Sequence, residues 1–133
     1  GQPSREFESV VDAIYRNLID IGRRTSINIK AFSCCGIGPQ AFDHSINHPE
    51  HGSFNERMNL RIAYLYGPNC FLDENLERGA LDLHRLIFKQ FQALGVPYDN
   101  LQHDLIDTAT NPRFFSRRGG DETGHNTILV VRR

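Results

Sequence analysis

The stretch from Ser33 to Arg57 reads SCCGIGPQAFDHSINHPEHGSFNER, and the interpretation of the whole fold depends on it. It contains two adjacent cysteines, three histidines within eight residues, two prolines and three glycines. No helical or strand periodicity continues through it. A connection of this length is uncommon inside a compact domain unless it is functional or disordered. We therefore expect a long loop that carries a functional site.

Two segments outside this loop have the apolar spacing of amphipathic helices. From Arg5 to Ile21, apolar residues recur at i, i+3, i+4 and i+7, which predicts a first helix. Asp73 is predicted to cap a second, long helix that is ended by Gly95.

Four further segments are typical of strands. Residues Ile27 to Ala31 and Leu60 to Tyr66 alternate along the chain as half-buried strands do, and Leu101 to Ile106 is interpreted as a short strand. The apolar, β-branched run from Thr127 to Val131 is typical of a strand buried on both faces. We therefore predict a single α/β domain over residues 1–133, with a mixed sheet of about four strands covered by two main helices.

The composition is that of an ordinary globular protein. Hydrophobic residues make up 39% and charged residues 23% of the 133 positions, which is enough for one domain with its own core. No apolar run approaches the ~18 residues of a membrane span, and the charged amino terminus is unlike a signal peptide. The formal net charge of −1 argues against binding nucleic acid through an overall positive field. Three cysteines, two of them adjacent, indicate a reducing, cytoplasmic location.

The predicted topology places several reactive side chains at one edge of the sheet. Open α/β sheets bind ligands beyond the carboxyl ends of their strands. If the first two strands are parallel neighbours, Cys34-Cys35 and Asn69-Cys70 meet at that edge, and an antiparallel last strand brings His125 there. We therefore expect one site built from the loops 33–57, 67–72 and 108–126.

An arginine-rich loop near the carboxyl terminus predicts anion binding. Arginine holds phosphate or carboxylate in bidentate geometry, and successive glycines let backbone N–H groups approach an oxyanion. The predicted ligand-binding residues are Arg113, Arg117, Arg118, Gly119, Gly120 and His125. The leading interpretation is therefore a ligand-binding sensor or effector domain for a small anionic molecule, such as a phosphorylated one.

A thiol enzyme is the competing interpretation. Cys35 or Cys34 would be the nucleophile and His125 its base, because a nearby imidazolium stabilises the reactive thiolate. The candidates for the group that orients the base are Asp104, Asp107 and Asp121, and we choose Asp121. The segment Gly124 to Val131 resembles the histidine strand of papain-like cysteine peptidases and amidases, which implies a hydrolase, deamidase or acyl-transferase. A third interpretation is a protein-interaction module whose long loops contact another protein.

The three histidines also offer a zinc alternative. His44, His48 and His51, joined by Cys35 or Cys70, supply nitrogen and sulfur ligands that suit zinc. Their spacing matches none of the established HExxH or CxxC patterns. We therefore expect no cofactor, with zinc as the alternative.

The order of the elements resembles one half of a phospholipase-D-like domain. The resemblance comprises the first helix, the strands Ile27 to Ser33 and Asn59 to Leu65, a long helix ending in Leu94-Gly95-Val96, and His125-x-Thr127 before an apolar strand. Thr127 stands where that family's HxK signature has lysine, and Arg132 lies near the position of its aspartate. The resemblance implies a degenerate member that binds phosphate esters without cleaving them.

Overall fold

The computed structural model describes residues 9–22, 25–34, 36–104 and 106–131, and these form a mixed α/β protein. The regular elements are helix α1 (Val10–Gly22), strand β1 (Ala31–Ser33), helix α2 (Gly52–Tyr66), helix α3 (Leu83–Ala93) and strand β2 (Leu101–His103). Two compact units make up the chain: a first unit of Gly1–Ser33 with His84–His103, and a second unit of Cys34–Leu83 with Asp104–Arg133. The prediction of one domain over residues 1–133 stays a prediction.

The first unit is built around a pair of parallel strands. β1 pairs with β2 so that Ala31 lies opposite Leu101 and Ser33 lies opposite His103. The buried core residues are Ile29, Val96 and Leu101, against which α1 and α3 pack Tyr15, Ile19, Phe88 and Phe91. Packing of these apolar faces holds both helices to the strands.

Helix α1 confirms the predicted first helix over the residues that the structure describes, but Val10, Ile14 and Leu18 of its predicted buried face are 75%, 48% and 45% exposed. It begins where Ser9 and Asp12 cap each other: the Asp12 N–H donates to Ser9 Oγ at 3.0 Å, and the Ser9 N–H donates to Asp12 Oδ2 at 3.2 Å. This reciprocal pair satisfies two backbone donors that a helix start leaves open. The part of the prediction that falls on residues 1–8 lies outside the described residues.

The second unit combines α2 with segments held by isolated antiparallel bridges. Asp43 pairs with Ala80, and Phe71 pairs with Leu81. Phe71, Ala80 and Leu81 are all buried. The bridge between Asp43 and Ala80 therefore joins the segment that precedes α2 in the sequence to the segment that follows it.

The segment Leu60 to Tyr66 is helical, so its prediction as a strand is wrong. In α2 the residues Leu60 and Tyr64, which the alternation placed on the apolar face of a strand, are 59% and 89% exposed. The buried positions are Asn55, Asn59 and Ile62, which follow the i, i+4, i+7 spacing of a helix. The helix also begins at Gly52, so the loop predicted over 33–57 ends earlier than expected.

Helix α3 is shorter than the helix predicted from Asp73. Asp73 and Glu74 both have a φ of 54°, and Gly79 has a φ of 64°. An α-helix of L-residues cannot continue through these left-handed conformations. Regular helix therefore begins only at Leu83.

The sheet is smaller than predicted. Leu101–His103 confirms the short strand, and the first strand lies at Ala31–Ser33, shifted from the predicted Ile27 to Ala31. Among the described residues the sheet has two parallel strands, so the prediction of four is wrong. Thr127 to Val131 forms no strand there, and Leu129 and Val130 are 84% and 87% exposed. The β-branched composition of this segment is therefore not sufficient to make it a strand, because strand propensity depends on a partner to pack against.

None of the helices in the described ranges is both long and apolar enough to cross a membrane.

Candidate ligand-binding site

Two asparagines of α2 hold the backbone of the preceding loop. The side chain of Asn59 is 1% exposed, and its Nδ2 donates to the carbonyl oxygens of His44 at 2.9 Å and Leu76 at 2.8 Å. One turn earlier, Asn55 Nδ2 donates to the carbonyl oxygen of Ser45 at 2.8 Å. Because an unpaired buried carbonyl is costly, these bonds hold the loop against α2 and against the segment that follows it.

The same network determines the tautomer of His44. Both N–H groups of the Asn59 amide are used by carbonyls, so its Oδ1 is the atom that faces His44 Nδ1 at 2.9 Å. An amide oxygen only accepts, and the neutral ring therefore carries its proton on Nδ1 and a lone pair on Nε2. The ring is stacked with Phe42 at 5.9 Å between centroids and lies edge-on to Phe54 at 6.4 Å.

A cavity of about 540 Å³ lies in the second unit beside this loop. Its lining includes Gln40, Phe42, Ser45, Asn47, Asn75 and Glu77. The His44 N–H donates to the Gly79 carbonyl at 2.9 Å, which joins the two segments that supply the walls. A concave space of this volume with one aromatic wall and several polar groups is typical of a small-molecule site.

Arg118 supports the aromatic wall of the cavity. Its guanidinium carbon lies 4.5 Å from the centroid of the Phe42 ring, which is the geometry of a cation–π contact. Its Nη1 also donates to the carbonyl oxygen of Asp43, at 3.4 Å. Arg118, which was predicted to bind an anion, therefore interacts with groups of the protein at this wall.

The remaining predicted anion-binding residues lie on exposed loops of the second unit. Within the loop, the Gly119 N–H donates to the Ser116 carbonyl at 3.0 Å and the Gly120 N–H to the Arg117 carbonyl at 3.2 Å. Arg117 is exposed, and Arg113 lines a separate cavity of about 750 Å³. Anion binding by these residues stays a prediction, with the two glycine N–H groups already engaged inside the loop.

The predicted thiol site cannot be assembled from the described residues, because Cys35 lies outside them. His125 and Asp121 are both exposed. Asp121 Oδ2 accepts a hydrogen bond from the Ser116 N–H at 2.7 Å, and so closes the arginine loop. With residues 60–66 helical and 127–131 not a strand, the predicted topology no longer brings His125 to a sheet edge. The catalytic assignments of Cys35, His125 and Asp121 stay predictions.

The nitrogen atoms of the three histidines predicted as zinc ligands do not converge on one point. His44 uses Nδ1 for Asn59, whereas His48 Nδ1 accepts the N–H groups of Glu50 at 3.2 Å and His51 at 3.1 Å. The His48 and His51 rings are stacked, with centroids 4.7 Å apart and planes 20° apart. The lone pairs of stacked rings lie in nearly parallel planes and do not converge on one ion.

The family model described as multi-copper polyphenol oxidoreductase laccase matches residues 8–133. This match covers most of the chain, and the protein therefore belongs to that family. None of the curated proteins and none of the solved structures matches the chain significantly.

The family assignment corrects both resemblances inferred from the sequence. The chain is neither half of a phospholipase-D-like domain nor a papain-like cysteine peptidase or amidase. The resemblances rested on strands at 59–65 and 127–131, of which the first is helical and the second is not a strand. The family does not indicate a thiol hydrolase.

The family description names copper, but the described residues do not bring together the donor groups that a copper centre needs. Copper takes imidazole and thiolate ligands that converge on one point. Within 9–22, 25–34, 36–104 and 106–131, no group of three or more His, Cys, Asp or Glu side chains is arranged to hold a metal ion. These residues therefore do not form a copper site among themselves, and the prediction that the protein needs no cofactor stays a prediction.

Sequence reasoning missed Phe42, Asn55 and Asn59. The signal for the asparagines was their spacing with Ile62, since positions i, i+4 and i+7 share one face of a helix. Phe42 carried no such signal, because its role depends on Arg118, which lies far away in the sequence.

Proposed function

We propose that the cavity of the second unit binds a small aromatic molecule that carries several hydroxyl groups. This ligand class is the polyphenol named in the description of the family. The cavity supports it by combining one aromatic wall, Phe42, with amide, hydroxyl and carboxylate groups. A polyphenol uses both, because its ring stacks on an aromatic face while its O–H groups donate to oxygen acceptors.

The position of the Phe42 ring is the observation that supports this proposal most directly. The ring is supported by the Arg118 guanidinium at 4.5 Å and by the stacked His44 ring at 5.9 Å. His44 is in turn held by the buried Asn59. A wall that is already held in place loses little freedom when a ligand stacks on it, and such pre-organisation favours binding.

The charged groups of the cavity favour a neutral ligand with hydroxyl groups. Asp43 and Glu77 both line the cavity, and carboxylates accept hydrogen bonds from O–H groups while repelling anions. Arg78 also lines it, but its Nη1 lies 3.7 Å from Asp73 Oδ2, so its charge is shared with that carboxylate. The anionic ligand expected from the arginine loop is therefore less well matched to this cavity than a polyphenol.

Titration with catechol under nitrogen tests the proposal. Backbone amide shifts in two-dimensional NMR should change for residues 40–47 and saturate with a Kd of about 1 mM, or about −4 kcal/mol, as suits so small a ligand. The variant Phe42→Leu should weaken binding about fivefold, since an aromatic pair contributes about 1 kcal/mol beyond its buried area.

Two controls distinguish stacking of catechol on Phe42 from nonspecific binding. Phe54→Leu alters a ring that contacts His44 from its edge but does not line the cavity, and it should leave the catechol Kd unchanged. Cyclohexane-1,2-diol keeps both hydroxyl groups without the aromatic face, and it should bind more weakly than catechol. Equal catechol affinity in Phe42→Leu and the unmodified protein would refute the proposal.

A further inference from the structure

Ser33, His84 and His103 form a cluster in the first unit, and none of them lines the cavity described above. Ser33 is the last residue of β1 and His103 the last residue of β2, and the parallel register places them opposite each other. His84 lies in the first turn of α3, and its Nδ1 is 2.6 Å from Ser33 Oγ. The cluster therefore occupies the carboxyl edge of a parallel strand pair, the position at which α/β sheets bind ligands.

Aromatic packing holds the His84 ring in this position. The His103 ring lies 5.7 Å from the His84 ring and 5.0 Å from the Phe88 ring, measured between centroids. His84 and Phe88 are four residues apart on α3, so both side chains project from the same face of the helix. His103 thus contacts both and limits the rotation of the imidazole that bonds to Ser33.

The geometry points to Ser33 as a serine nucleophile with His84 as its general base, acting on carboxylic esters. A serine hydroxyl is a weak nucleophile until a base within hydrogen-bond reach accepts its proton, and the base needs a neighbour that orients it. The 2.6 Å separation meets the first condition, and the packing against His103 meets the second. Ser33 and His84 are half-buried, whereas His103 is exposed, so one side of the cluster faces solvent.

The reaction is a two-step acyl transfer to water. Ser33 Oγ attacks the acyl carbon and forms a new C–O bond as the bond to the alcohol breaks, while the hydroxyl proton passes through His84 Nδ1 to the departing oxygen. Water then attacks the acyl-serine, gives one proton to His84 Nδ1, and that proton returns to Ser33 Oγ. The products are a carboxylic acid and an alcohol, and no oxidant or other co-reactant is consumed.

Labelling with a fluorophosphonate tests this site, because the reagent forms a stable P–O bond with an activated serine and releases fluoride. Ser26 is an internal control, since its Oγ is 2.5 Å from the Tyr15 hydroxyl and donates to the Leu94 carbonyl at 3.0 Å, without an imidazole partner. Peptide mass spectrometry of the unmodified protein should find the label on Ser33 and not on Ser26.

Variants then test the role of the base. His84→Gln should slow labelling of Ser33 about a hundredfold, in the range that general-base assistance contributes. Ser26→Ala should leave the labelling rate of Ser33 unchanged. Circular dichroism of each variant establishes that it is folded, and the comparison of Ser33 with Ser26 inside the unmodified protein needs no variant.

An unlabelled Ser33, equal labelling of Ser33 and Ser26, or an unchanged rate in folded His84→Gln would each overturn the inference. It is independent of polyphenol binding, which concerns the second unit, so either proposal can fail while the other stands.

Discussion

At the scale of single residues, Asn59 links the helix α2 to both segments that supply the cavity walls. Its amide makes three hydrogen bonds, to the ring and carbonyl of His44 and to the carbonyl of Leu76, and its side chain is 1% exposed. A buried amide with all its partners satisfied specifies one arrangement of the chain around it. The orientation of the Phe42 wall therefore depends on a residue that does not itself line the cavity.

Replacing Asn59 by alanine tests this dependence. Two buried carbonyls and one ring nitrogen lose their partner, so the free energy of unfolding should fall by about 3 kcal/mol. Asn55→Ala is the matched control, since Asn55 makes one such bond, to Ser45, and its loss should cost about 1 kcal/mol. Urea denaturation measures both values, and similar losses for the two variants would contradict the assigned role of Asn59.

Residue type explains why sequence reasoning found some residues of the fold and missed others. Helix α1 is marked by recurring apolar side chains, which periodicity detects. The buried face of α2 carries two asparagines beside Ile62, and a hydrophobic pattern cannot register a polar residue that is buried because its hydrogen bonds are satisfied. The alternation of Leu60, Ile62, Tyr64 and Tyr66 then favoured a strand that does not exist.

At the scale of elements, the close approach of the segment 75–80 to the loop before α2 requires glycine at position 79. Gly79 has a φ of 64°, and a Cβ atom built there would overlap the carbonyl oxygen of His44. That carbonyl also accepts the hydrogen bond from Asn59. The carbonyl oxygen of His44 is therefore approached both by the backbone at Gly79 and by the side chain of Asn59.

Gly79→Ala should consequently cost more than the left-handed backbone alone explains. We expect a loss of about 3 kcal/mol in the free energy of unfolding, of which about 1 kcal/mol is conformational and the rest is overlap. Gly120→Ala is the comparison, because Gly120 also has a positive φ, 107°, but no heavy atom lies within 4 Å of its added Cβ. Equal losses in chemical denaturation would show that the His44 carbonyl moves aside freely.

A second prediction at this scale concerns the start of α2. His48 Nδ1 accepts the backbone N–H groups of Glu50 and His51, directly before the helix begins at Gly52. His48→Ala should destabilise the protein by about 1 kcal/mol, because two backbone N–H groups before the helix lose their acceptor, whereas His48→Asn keeps an acceptor and should recover part of that loss. Thermal unfolding followed by circular dichroism compares the two, and an unchanged stability of His48→Ala would show that these two hydrogen bonds do not stabilise the protein.

The sequence predicts the location of the site in part, but not how its segments come together. The predicted loops 33–57, 67–72 and 108–126 fall largely in the second unit, but the expected convergence needed strands at 60–66 and 127–131. A helix and an exposed segment occupy those positions, so the residues that meet do so through the bridge between Asp43 and Ala80 and the stacking of Arg118 on Phe42. Such pairings between distant segments leave no periodic signal in the sequence.

At the scale of the whole molecule, a small net charge accompanies large exposed apolar side chains. The formal net charge is −1 at pH 7, and the sequence pI is about 6.6. Exposed fractions reach 75% at Val10, 82% at Ile21, 84% at Leu129 and 87% at Val130. Near its pI a protein has little charge repulsion to oppose contact between apolar patches. The 133-residue chain should therefore self-associate most strongly around pH 6.6 and less at pH 8.5, where the net charge is more negative, as sedimentation velocity would record.

A pair of variants separates the apolar surface from the charge as the cause of that association. Leu129→Lys and Gln92→Lys each add one positive charge at an exposed position, but only the first removes an apolar side chain. At equal distance from their common shifted pI, Leu129→Lys should be more monomeric than Gln92→Lys, because the apolar contact area is smaller while the charge is matched. Identical sedimentation profiles for the two variants would assign the association to charge alone, and the exposed segment 127–131 would then have no part in it.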